Sequence, residues 1–164
     1  MPLDWSTVEG IARTYQQSHP NLVPDIRCIE LSVRQAFHQL PVLVDLVDFD
    51  PYPDVWVLQA DVVSTNRLSI TTRNNQALLT PETNLQFRAV HDYDHLTQGL
   101  NFSVWGEVKA AKVWCARVED DTMQAFLFSE IVAQACVAVV SGSFAPQKYV
   151  RFPKRFRDEV FRSV

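Results

Sequence analysis

A chain of 164 residues, 47% apolar and 21% charged, is long enough to close a hydrophobic core and has the balance of an ordinary globular domain, which argues against global disorder. Its net charge of −4 gives no overall pull toward nucleic acid or acidic membrane. Three widely spaced cysteines, Cys28, Cys115 and Cys136, form no C-x-x-C pair and so indicate neither a disulfide framework nor a zinc knuckle.

In chain order, residues 5–18 read as a first helix: Ser6 caps it with Glu9 three positions on, and Val8, Ile11, Ala12 and Tyr15 recur at helical spacing. "HPNLVP" breaks it. A second helix fits 25–40, with Ile26, Ile29, Val33, Ala36, Phe37 and Leu40 as its buried stripe, and Pro41 stops it. "VLVDLVDF" has the branched, apolar character of a strand, "DPYPD" turns the chain, and 54–65 suit a third helix with Val55, Leu58 and Val62 on one side. "RLSIT" alternates as a second strand, and Thr72 to Leu79 is polar and loop-like.

Thr80-Pro81-Glu82-Thr83 is a strong helix start, so a fourth helix covers 82–97 and Gly99 ends it. Ser103 caps a fifth through about 118. "EDDT" opens a sixth that runs apolar to Val140 and stops at Ser141-Gly142, and a short last helix follows Pro153. The expected architecture is mainly α (α+β): one domain over 1–164, a helical bundle-like core with two short strands.

The start "MPLDWSTVEG" lacks the basic and apolar regions of a secretory signal, and no run of apolar residues approaches bilayer length. A reducing cytoplasm is the expected setting, no membrane is expected as a partner, and each cysteine is expected to act as a small core hydrophobe. Residues 148–164 carry six Lys/Arg against Asp158 and Glu159, while the remaining residues sum to −8. Such a basic segment could bind nucleic acid; its aromatics favour packing on the body instead.

The stretch "FRAVHDYDHLTQGLNFSVWGE" concentrates ionisable groups in an otherwise apolar setting. On a helical wheel His91 and His95 lie about 40° apart, with Arg88 beside them. Two imidazoles at i and i+4 can reach one metal ion. Glu107 shares a helix face with Ala110, Ala111 and Trp114, and Glu130 is the lone charge in "MQAFLFSEIVAQACVAVV". A carboxylate buried alone costs several kcal/mol or protonates, so both glutamates need a reason. His91, His95, Glu107 and Glu130 are therefore candidate ligands for a divalent metal, Zn or Fe/Mn. Asp92 would orient a ligand, Arg88 would neutralise an anionic substrate or intermediate, and Glu130, if not a ligand, would serve as base. Asp94 is expected to be solvated or helix-capping. A metal-free catalytic cluster and a purely structural network of Arg88, the histidines and the glutamates stand as alternatives.

"HDYDH" resembles the H-E-x-x-H helix of zinc peptidases, with the shorter Asp92 where those enzymes carry glutamate. "AVHDYDHL" is similar to the His-Asp helix of HD-type phosphohydrolases, for whose remaining ligands His38 and Asp120 or Asp121 are available. The E-x-x-H pairs of ferritin-like di-iron proteins are absent. The fullest resemblance is to a group of uncharacterised proteins from bacteria and their phages. It is carried by Asp50-Pro51-Tyr52, Asp61, Leu68, Asn84, Phe87 to Asp92, His95, Gly99, Phe102, Gly106-Glu107 and Ala110, with Glu130 as the later acid. The sequence departs from that pattern at Tyr93-Asp94. The resemblance implies a helical fold with a polar centre and no established activity. Two functions follow as expectations: a metal-dependent hydrolase of an unknown small-molecule substrate, or a non-catalytic, phage-related structural or interaction protein with a buried His/Arg/Glu network. Oligomeric state is not indicated.

Overall fold

In the computed structural model, which describes residues 3–75 and 78–164, helices dominate and only two short strands occur among the described residues, as a mainly α chain requires. Of the loop expected over 72–79, Gln76 and Ala77 lie outside the described residues, as do Met1 and Pro2 of the N-terminal stretch. The chain forms two compact units, Arg27–Phe102 and a second made of the residues up to Ile26 together with Ser103–Val164.

The Arg27–Phe102 unit is built on a strand–helix–strand motif. Strand β1 (Leu43–Val47) pairs with β2 (Arg67–Thr71) in parallel, in register Leu43↔Arg67 to Val47↔Thr71. Parallel neighbours need a crossover, and helix α3 (Val55–Thr65) supplies it. Asp54 caps α3, its carboxylate accepting from Trp56 and Val57 N–H. Leu58 and Val62 from α3 join Leu68 and Ile70 from β2 and Ala89 in one apolar core. Helix α2 (Arg27–His38) adds Ile29 and Val33, and packs on helix α4 (Pro81–Gln98). Cys28 is exposed, which corrects its expected place in the core: it lies about 130° round α2 from the buried stripe.

Helix α4 starts and stops where its sequence dictates. Thr80 Oγ1 accepts from Thr83 N–H, Pro81 occupies the first turn, and Gly99 closes the helix at φ 62°. Its burial is not one-sided: Thr83, Asn84, Ala89, Val90, Asp94 and His95 are all buried, and together they circle the helix. Asp94, expected to be solvated or capping, is 5% exposed. It follows Val90 by one turn, so it inherits a covered face rather than the open one that an amphipathic helix would offer.

In the other unit, helix α1 (Trp5–Gln17) is capped by Asp4 and not by Ser6. The Asp4 carboxylate accepts from Thr7 N–H, Thr7 Oγ1 and Ser6 Oγ, and Ser6 becomes a donor to the cap. Helix α5 (Val104–Ala116) is capped by Ser103 as expected. The sixth expected helix is three segments in line: α6 (Asp121–Leu127), a π-helical turn (Phe128–Ala133) and α7 (Gln134–Ser141). At 21 residues the run Asp121–Ser141 is long and apolar enough for a bilayer crossing, contrary to the expectation that no such run exists, and most of it is buried within the protein. It packs on α1 and α5. Gly142 ends it in the left-handed conformation.

Helix α8 (Lys154–Arg162) follows Pro153 and is held by aromatics: Phe128 meets Phe152, Phe156 and Phe161 at centroid distances of 5.2–6.4 Å. Arg157 is 1% exposed; it donates to Phe152 O at 3.1 Å and to Asp121 Oδ1 at 2.6 Å.

Candidate metal centre

His91 and His95 stand one turn apart on α4, and their Nε2 atoms face each other at 3.2 Å. The rings meet edge to face with centroids 4.6 Å apart. Aromatic walls fix both: Phe87, one turn before His91, stacks on it at 5.9 Å, and Phe102 meets His95 at 5.0 Å. Nitrogens sharing one tetrahedral ion at about 2.0–2.1 Å are themselves separated by about 3.3 Å. The pair is thus already spaced for a common cation.

A local contact bears on the tautomer of His95. Its Nδ1 lies 3.3 Å from the Leu100 carbonyl oxygen. A carbonyl can only accept, so this contact is a hydrogen bond in the tautomer that carries its proton on Nδ1, the form that leaves the Nε2 lone pair open. His95 is fully buried, whereas His91 retains some contact with solvent.

Glu107 lies in the first turn of α5, where the helix N-terminus favours an ionised carboxylate. With the two histidines it makes up a set of residue types that could hold a metal ion.

Glu130 is the fourth candidate ligand. It sits in the π-helical turn, its Oε1 withdrawn from water and without a hydrogen-bond partner. Burial pushes its carboxyl up to about 8, so the group is largely neutral at pH 7. Asp92 is half-buried next to His91. Arg88 has a task of its own: Nη1 donates to Thr71 O at 3.0 Å and Arg73 O at 2.8 Å, and Nη2 to Asn74 O at 2.7 Å. It pins the chain leaving β2 onto α4. Burial lowers the Arg88 pKa, while the charges of Asp92 and Asp50 oppose that fall.

No family model, curated protein or solved structure matches the chain. The site is therefore read from its own chemistry.

Several residues that carried the sequence resemblance hold the fold. Tyr52 Oη donates to Asp61 Oδ2 at 2.8 Å and accepts from Ser69 N–H at 2.8 Å, tying the turn before α3 to that helix and to β2. Asn84 Nδ2 donates to Asn75 Oδ1 at 2.7 Å. The basic residues of 148–164 are largely engaged too. Lys148 donates to Gln16 O and Ser18 O, Arg151 and Arg157 pair with Asp121, Lys154 with Asp158 and Arg155 with Glu159.

Residue-type reasoning named the histidines and Glu107 as candidates because i, i+4 imidazoles and an inward carboxylate leave a signature. It missed the ring walls and the Leu100 carbonyl. Phe87 had a usable signal, four residues before His91. A backbone acceptor has none.

Proposed function

We propose that this protein binds a divalent cation of the Zn2+, Fe2+ or Mn2+ type through His91 Nε2, His95 Nε2 and a Glu107 oxygen. The 3.2 Å separation of the two Nε2 atoms supports this reading above all. Two imidazoles and one carboxylate are a donor set shared by catalytic zinc sites and by non-haem iron sites with open positions. Three protein ligands would leave a position open for water, whose pKa a cation held by His91, His95 and Glu107 would lower toward neutrality. The chemistry this supports best is metal-dependent hydrolysis, in which Asp92 would orient a ligand or the bound water. Metal content of untagged protein tests the reading: close to one equivalent is expected, falling to trace levels in His91→Ala and Glu107→Gln with little loss of fold. Wild-type protein that neither retains nor takes up any of these ions removes it.

A second reading has an observation of its own. An Nε2–H donated from one imidazole to the other also satisfies a 3.2 Å contact, so the pair could serve packing alone, in a non-catalytic protein. His91→Ala would then lower stability and change no metal content.

A further inference from the structure

We propose that Gly99 is a positioning residue for the metal centre, acting through the ring of His95. The proposal rests on the reading that His95 binds metal through Nε2. At the end of α4, Gly99 takes φ 62° and ψ 36°, and its N–H reaches the His95 and Leu96 carbonyls. The reversal brings Leu100 back over the last turn. Leu100 N–H donates to the His95 carbonyl at 2.8 Å, and the Leu100 carbonyl accepts from His95 Nδ1 at 3.3 Å. One residue thus holds both the main chain and the ring of His95.

This contact decides what Nε2 can do. A neutral imidazole carries one proton, and a proton on Nε2 would occupy the lone pair a metal requires. An acceptor at Nδ1 holds the proton there, fixes the ring plane and raises the basicity of Nε2. The acceptor here is a main-chain oxygen whose direction depends on the left-handed residue before it. Residues other than glycine and asparagine resist that conformation, β-branched ones most. Nothing lies within 4 Å of a Cβ built at Gly99, so a substitution acts through the backbone angle and not through a clash.

The experiment uses the full-length, untagged chain with Gly99→Asn, Gly99→Ala and Gly99→Val. Long-range proton–nitrogen NMR on metal-free protein reads the His95 tautomer, and calorimetric titration with Zn2+ alone reads affinity. Wild type and Gly99→Asn are expected to show a single Nδ1–H form and equal affinity. Gly99→Val is expected to show mixed tautomers and roughly 10- to 100-fold weaker Zn2+ binding, the range for losing an orienting partner of a ligating histidine. Gly99→Ala falls between and serves in its place if Gly99→Val does not fold. An Nε2–H form in wild type, or valine and alanine variants that bind as wild type does, overturns the positioning role. A wild type that keeps the Nδ1–H form but takes up no Zn2+ overturns the metal reading instead, and with it the purpose assigned to Gly99.

Discussion

Replacing Glu130 with glutamine isolates the cost of the one carboxyl that the π-helical turn withdraws from water. Folded, this group ionises at about 8; an exposed glutamate ionises near 4.5. Between those two values the folded chain holds a proton that the unfolded chain has released. Stability contributed by the neutral carboxyl is therefore full below pH 4.5 and drains away as pH rises toward 8. At about 1.4 kcal/mol per unit of pKa difference, the loss reaches about 3 kcal/mol at pH 7 and about 5 kcal/mol above pH 8. Glutamine keeps the shape and cannot ionise. Its extra N–H donors add a pH-independent offset of about 1–3 kcal/mol, so the slope decides and the absolute difference does not. Urea unfolding of both proteins between pH 5 and pH 8, with chelator present to silence metal linkage, should show the variant gaining at least 2 kcal/mol on the wild type across that range. Parallel profiles would refute the argument that burial alone perturbs this group.

Two further outcomes follow from the same burial logic. Cys115 and Cys136 are buried and their thiols pushed up to about 12, whereas Cys28 is exposed; the folded protein should react with one equivalent of a thiol reagent at pH 8, at Cys28, and with three after denaturation. Asp121→Asn should cost about 1–2 kcal/mol by thermal or urea unfolding: it leaves the buried Arg157 guanidinium without its counter-charge, while the 38% exposure of the Asp121 side chain lets solvent screen the pair. Arg157→Met added to it should restore much of the loss, and no recovery would mean the pair is not what holds α8. Burial alone would raise the Asp121 carboxyl, but Arg157, Arg151 and Lys154 outweigh it and hold the group below its usual value. The pair's contribution is accordingly present above the ordinary aspartate range and lost as acid protonates Asp121.

How far the sequence could be read depended on whether a feature was local. Helix starts with a side-chain cap and a proline, as at Thr80-Pro81, fell within a residue of their observed places, because the capping oxygen and its N–H partner are three residues apart. Where two caps competed, as Asp4 and Ser6 do, spacing could not rank them; a carboxylate gathering three donors prevailed. The strands were legible as segments, but their parallel pairing depends on α3 crossing between them. Asp94 misled for the opposite reason: a polar residue on a helix looks solvated until the rest of the fold covers that face. The π-helical turn left no mark in "LFSEIVAQA", whose residues suit an α-helix equally well.

The same distinction bears on Arg88 and the histidines, which share one stripe of α4 and looked from the sequence like parts of one site. An arginine and an imidazole are recognised by different partners. The guanidinium carries five donors and finds three acceptors among the carbonyls of Thr71, Arg73 and Asn74, in the stretch that follows β2. The imidazoles are acceptors as well as donors, and at 3.2 Å they find each other. Stripe membership therefore sorted into two tasks along the helix: Arg88 toward the N-terminal half secures the fold, and His91 and His95 toward the C-terminal half form a pair whose spacing suits a cation. An arginine directed at the same point as the imidazoles would repel a divalent ion. The Arg88 guanidinium is turned to main-chain oxygens of the stretch after β2 and ties that stretch to α4.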